Sequence, residues 1–137
     1  MEMTVVAGHA FGLRSPVQVM GGTLYVSIDL AAGATLRIPS EHAERALYPV
    51  RGELQLDGEP LPLNTLAVLD AGSEPILRAA SPSRVMLLGG EPLDGPRLVW
   101  WNFVASTRER IEQAKSDWRE GRFAAVPGET EFIPLPD

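Results

Sequence analysis

The sequence predicts an all-β protein, an antiparallel sandwich or barrel followed by one C-terminal α-helix and an extended tail. Three observations predict it. Between Thr23 and Gly90, short apolar or alternating runs follow one another with Gly, Pro, Asp and Ser between them; a spacing of roughly ten residues with no intervening helical pattern marks a sandwich or barrel. After Val104 the period changes to that of an amphipathic helix. The final VPGETEFIPLPD carries too many prolines to be helical.

The strands can be justified in order. TLYVSIDL, residues 23–30, puts Leu24, Val26, Ile28 and Leu30 on one face and Tyr25, Ser27 and Asp29 on the other, the period of a half-buried strand. TLRI (35–38), RALYPVR (45–51), ELQL (53–56), TLAVL (65–69), PILRAA (75–80) and RVMLLGG (84–90) are further strand candidates. Asp57-Gly58 tolerates positive φ and suits a tight hairpin. Gly21-Gly22 and Gly89-Gly90 read as turns, since neither leads a helix or precedes Lys-Ser/Thr as a phosphate loop does.

The helix is expected over about 107–120. Ser106 with Glu109 three residues on makes a capping box, and Gly121 suits the left-handed residue that ends the helix. Ile111, Ala114 and Trp118 share one face, leaving Arg108, Glu112, Lys115 and Arg119 to solvent. Trp100 and Trp101, consecutive on an expected strand, should leave it on opposite faces, one of them meeting the helix. They read as a fastening for the helix rather than a ligand platform. The tail, 121–137, is expected to pack through Phe132, Ile133 and Leu135. The whole chain reads as one domain over 1–137, with the barrel over about 1–104.

Composition excludes several classes. Apolar residues make up 45% and charged residues 22%, as in a globular protein. The net charge is −6, and the basic residues alternate with acids instead of clustering, which argues against nucleic acid as a partner. Cysteine is absent, so disulfides, thiolate metal sites and cysteine nucleophiles are excluded. No apolar run reaches the ~20 residues that span a bilayer, and MEMTVVAGHA lacks the pattern of an export signal. A cytoplasmic protein without membrane contact is expected.

Six segments in a fixed order carry a family resemblance: AGHAFGLRSPV (7–17), TLYVSIDLAAGATL (23–36), ALYPVRGELQLDG (46–58), LAVLDAGS (66–73), LLGGEPLDGP (87–96) and NFVASTRERIEQAKSDW (102–118). Together they cover nearly the entire chain, which resembles the C-terminal cupin domain of the pirin family. The resemblance implies a cupin-type jelly roll, two antiparallel sheets around a pocket, with a helix outside it. Pirins are two-cupin proteins whose iron site, associated with quercetin 2,3-dioxygenase activity, lies in the N-terminal cupin. No counterpart of that half is found here, so the chain reads as a stand-alone or truncated member, or as a piece of a longer parent.

A metal-binding cupin supplies two closely spaced His, a Glu and a later His. Anchoring the first motif on Gly33 and Gly52 puts the Glu position at Arg45 and the His positions near Pro39 and Glu41. Anchoring the second on Asn64 and Gly72 puts the fourth ligand near Pro75. His9 and His42, the two histidines, fall on none of these positions and read as polar residues beside the first strand and in a loop. They could form an adventitious site with Glu41 or Glu44, but no functional metal, cofactor or catalytic residue is expected.

In the same register Glu41 and Arg45 point toward the position a metal would take. Either they pair near the barrel mouth, or Arg45 binds a small carboxylate or other anion, with Tyr48 as a hydroxyl donor. Tyr25 and Tyr48 are otherwise strand residues without a catalytic role. A cupin half that normally packs on a sister domain should cover its apolar face with another copy, which predicts a homodimer. Three functions stay open: a metal-free structural, dimerising or protein-interaction module; a small-anion binder or metal-independent enzyme; and part of a quercetinase whose iron lies elsewhere.

Overall fold

In the computed structural model, residues 1–19 and 21–136 are described. The strands run in chain order as β1 (Glu2–Ala7), β2 (His9–Ala10), β3 (Leu13–Arg14), β4 (Leu24–Leu30), β5 (Thr35–Arg37), β6 (Glu44–Arg51), β7 (Leu54–Leu56), β8 (Glu59–Leu61), β9 (Ala67–Leu69), β10 (Ile76–Ala79), β11 (Ser83–Gly90), β12 (Leu98–Trp100) and β13 (Phe103–Ala105), followed by helix α1 (Arg108–Arg119). They fall into two compact units, Met1–Pro92 and Leu93–Asp137.

The first unit is the sandwich the alternating pattern calls for. A five-stranded sheet, in the order β1-β4-β11-β6-β9, and a four-stranded sheet, β5-β10-β7-β8, are antiparallel throughout. Leu24, Val26, Ile28 and Leu30 of β4 are 0–2% exposed. With Leu47, Val85 and Leu87 of the large sheet and Leu54, Leu77 and Ala79 of the small one, they form a single aliphatic cluster. One core therefore joins the two sheets; burying each such Leu, Ile or Val contributes about 1.5–3 kcal/mol before chain entropy is counted.

Turns are set where glycine or a short polar residue accepts positive φ. Asp57 and Gly58, at 49° and 90°, make the expected hairpin between β7 and β8. The second glycine pair is a correction. Gly89 and Gly90 lie inside β11, opposite Arg45 and Glu44, and form no turn. A Cβ on Gly89 would stand 2.0 Å from the Glu44 carbonyl oxygen, so glycine is needed there for β11 to approach β6.

In the second unit β12 and β13 form a hairpin against which α1 packs. The turn changes the reading of the paired tryptophans. Trp101 is not a strand residue but the first turn residue, with φ at 49°. Both indoles therefore join one cluster: Trp100 stacks on Phe103 at 6.2 Å, and Trp101 meets Trp118 edge-on at 5.1 Å. The helix packs through Ile111, 5% exposed, with Ala114 and Trp118 half-buried on the same face. Lys115, expected in solvent, lies instead with its Nζ 4.2 Å over the Trp100 ring; its hydrocarbon stem covers apolar surface while the ammonium stays at the rim.

The caps divide. Thr107, not Ser106, is the N-cap, its hydroxyl accepting the Arg110 N–H at 3.3 Å. This moves Glu109 out of the reciprocal capping position but keeps it in the first turn, where the helix dipole favours a carboxylate. At the other end Gly121, at φ 65°, fulfils its expected role. The Gly121 N–H donates to Trp118 and the Arg122 N–H to Asp117, the pair of bonds that closes a Schellman motif. The tail engages through two rings and one carbonyl: Phe123 stacks on Phe103 at 5.8 Å, Phe132 stacks on Trp118 at 5.8 Å, and Trp118 Nε1–H donates to the Ile133 carbonyl at 2.8 Å. The Ile133 side chain is exposed. Among the described residues no helix is long and apolar enough to cross a membrane.

Candidate functional site

Strand β6 sends Arg45, Leu47 and Pro49 to the interior and Ala46, Tyr48 and Val50 to the other face of the large sheet, and the three inward residues are all buried. Arg45 is thus a cation placed among hydrocarbon, 2% exposed. Its guanidinium is held by backbone oxygens from two loops. Nη1 donates to the carbonyls of Pro39 and Ser73, each at 2.8 Å, and Nη2 to the carbonyl of Asp70 at 2.8 Å. The Nε–H is buried without a partner, and no ion pair to Arg45 occurs among the described residues.

The three residues singled out from the sequence do not come together. Glu41 is exposed and its carboxylate accepts the Phe11 N–H at 3.0 Å, so it does not pair with Arg45. Tyr48 projects from the opposite face of β6, its hydroxyl donating to Asn64 Oδ1 at 3.3 Å. The motif anchors, by contrast, coincide with turns: Gly33, Gly52, Asn64 and Gly72 take φ of 79°, 85°, 58° and 75°. In the register expected from the sequence, the carboxylate position of a cupin metal cage would be Arg45 and an imidazole position would lie near Pro39, whose carbonyl accepts from that same guanidinium.

Iron does not fit this arrangement. The carbonyl dipoles that converge here are already directed at a fixed positive charge, and a second cation beside it would meet like-charge repulsion in a medium that screens poorly. Among the described residues no three His, Cys, Asp or Glu side chains converge as an ion's ligands.

A different polar cluster lies where β2, the bend before β6 and the end of β11 meet. His42 is 3% exposed. Its Nε2 is 2.9 Å from the His9 carbonyl oxygen, its ring centroid is 4.7 Å from that of His9, and its Nδ1 is 3.9 Å from Glu91 Oε1. The sequence allowed the two histidines to meet beside Glu41 or Glu44; 33 positions separate them, and the sheet topology that joins them brings Glu91 to His42 instead. The signal for Arg45 was more legible: a lone Arg at an inward position of an apolar strand needs buried acceptors.

On the other face of the large sheet, the register aligns Tyr25, Leu88, Ala46 and Val68 in one row across four strands. Tyr25 is 40% and Val68 76% exposed, and Leu66 and Val50 are exposed apolar side chains at 52% and 44%. A cleft of about 350 Å³ opens beside Ala46, Val68 and Leu88. At the far end of the same sheet Asp29 accepts hydrogen bonds from Arg84 and Arg51. The Arg84 hydrogen bond, above all, holds the Asp29 carboxyl below its ordinary range.

Residues 25–124 match the family model of the pirin C-terminal cupin domain. The chain belongs to the pirin family. A pirin-like protein of Caulobacter vibrioides is 44% identical over 138 residues, covering 100% of this chain and 48% of the relative. Pirin of Mus musculus is 30% identical over 130 residues, covering 89% of this chain and 44% of the relative. A crystal structure of quercetin 2,3-dioxygenase from Acinetobacter baumannii superposes with a TM-score of 0.82 at 30% identity, covering 98% of this chain and 47% of that one. The chain thus spans about half the length of the pirins it matches, and its two-sheet fold is that of their C-terminal cupin.

Proposed function

We propose that this chain is a pirin-type cupin module that works through its surface, associating with a second cupin domain, in the simplest case another copy of itself. The observation that carries this reading is Arg45, a buried carbonyl-bound cation, which the sequence register puts where a catalytic cupin needs a carboxylate ligand. A fixed positive charge there disfavours iron and shifts attention to the outer row Tyr25–Leu88–Ala46–Val68, exposed at its two ends, Tyr25 and Val68. An apolar row of this kind on one face of a sheet suits an isologous two-fold contact. Light scattering at tens of micromolar tests it: a dimer is expected, and a monomer counts against it. Supplied with Fe(II) and quercetin under oxygen, the chain alone should consume no more flavonol than iron without protein.

A second reading is favoured by the half-length match to quercetin 2,3-dioxygenase: the chain acts as the non-iron half of such an enzyme, with chemistry carried by another cupin domain. Mixing it with the separately produced N-terminal half of a pirin relative and finding flavonol consumption above that half alone would support this reading. A small-anion role for Arg45 has one supporting feature, its bare Nε–H. Against it stand the burial of the guanidinium and the separation of Arg45 from Glu41 and Tyr48. Calorimetric titration with small carboxylates, comparing wild type with Arg45→Ala, distinguishes it: heat with the wild type alone would revive the role.

A further inference from the structure

The two ring nitrogens of His42 have different surroundings. Nε2 faces the His9 carbonyl oxygen at 2.9 Å; a carbonyl only accepts, so this nitrogen carries the hydrogen. In the neutral ring Nδ1 is then a bare lone pair. It is buried and has no hydrogen-bond partner. Glu91 Oε1 faces it at 3.9 Å, beyond hydrogen-bond reach. The carboxylate is steered there by its backbone: the Glu91 N–H donates to the Gly22 carbonyl at 3.1 Å. A Cβ on Gly22 would stand 2.6 Å from Glu91 Cγ, so glycine leaves the space this side chain uses. The His9 ring, tilted 51° to that of His42, is exposed beside them.

A lone pair and a carboxylate that face each other across such a gap repel unless something positive lies between them. We propose that His42 Nδ1, the Glu91 carboxylate and the His9 ring bind a divalent transition-metal ion of the Zn²⁺ type. The chemistry of the donors matches: two imidazoles and a carboxylate suit zinc. The Nε2–H bond to a backbone carbonyl is the outer-shell contact that fixes the tautomer of a metal-bound histidine. Zinc bonds of about 2.0–2.2 Å at a tetrahedral angle put neighbouring donor atoms roughly 3.4 Å apart. The observed 3.9 Å closes by a small rotation of Glu91, whose side chain is 60% exposed. Three ligands do not already converge on one point, so the ion completes the set by turning the exposed His9 ring. The site is separate from the position of Arg45 and does not depend on the module's role in association.

Calorimetric titration of EDTA-stripped, dialysed protein with ZnCl₂ near neutral pH tests the proposal, together with NMR of the two histidine rings. One ion per chain is expected, with resonances of both rings perturbed. Glu91→Gln and His9→Gln should each weaken binding about tenfold or more, while leaving the urea midpoint in EDTA unchanged. These exposed positions are chosen because a His42 variant can fail to fold. Absence of heat and of ring perturbation in the wild type would overturn the proposal, leaving a proton-bridged His42–Glu91 pair to fill the gap. Wild-type affinity in Glu91→Gln would overturn it equally.

Discussion

Arg45 donates to the backbone carbonyl of Ser73 at 2.8 Å, across 28 positions of sequence. With the bonds to Pro39 and Asp70, this fastens the loop before β6 and the loop after β9 to one guanidinium. Arg45→Met keeps the apolar stem but takes one donor from each of three carbonyls, that of Asp70 keeping the Ser73 N–H and hydroxyl. Because hydrogen bonds to a charged group contribute about 1.5–3 kcal/mol each and do not add fully, a loss on the order of 3–5 kcal/mol is expected in urea unfolding. A loss below ~1 kcal/mol would show that the loops stand without it.

The lowered carboxyl of Asp29 has a pH signature. Arg84, then Arg51, stabilise its ionised form in the folded chain, so between the depressed folded value and the ordinary one the unfolded state binds more protons. The contribution is present above that window and is lost as pH falls through it. Urea midpoints of wild type and Asp29→Asn should therefore converge as pH drops below about 4. Parallel curves would rule out this linkage.

Trp118 joins the hairpin, the helix and the tail through Trp101, Phe123, Phe132 and the Ile133 carbonyl. Trp118→Ala should cost about 3 kcal/mol and expose the segment after Gly121 to limited proteolysis, whereas Trp118→Phe keeps an aromatic ring there while losing the indole donor and part of the ring surface, and should cost less. Equal protease resistance in all three proteins would show that the tail is not held by this ring.

If the outer row of the large sheet is the association surface, Val68 is the position at which to break it. At 76% exposure, Val68→Asp should leave the thermal midpoint of the monomeric fold within the small range of surface changes. The mass measured by light scattering should fall from dimer to monomer. A dimer that survives both Val68→Asp and Leu88→Asp would place the contact elsewhere.

The all-β class, the strands from β4 to β7 and from β9 to β11, the Asp57-Gly58 hairpin, the helix and its glycine stop were legible in the sequence, because each follows from local period or from a residue's own φ preference; β1 and β8 were not singled out. Boundaries set by competition between neighbours were less so: Ser106 and Thr107 are both good caps, and which one closes the first turn depends on where the hairpin releases the chain. Trp101 was misplaced for a related reason, since nothing in its chemistry announces a left-handed turn position.

Arg45 was legible as a misfit to the cupin metal pattern, but its partners were not, because carbonyl oxygens carry no residue identity and only chain packing aims them. The same holds for His42, whose neighbours His9 and Glu91 come from distant segments. By itself the sequence determined which faces of which strands are apolar, and hence that two sheets must share a core. Only the tertiary structure decided that a buried arginine holds the loops together and that two histidines and a glutamate meet, since those contacts arise from strand order and register, which link residues that local periodicity cannot relate.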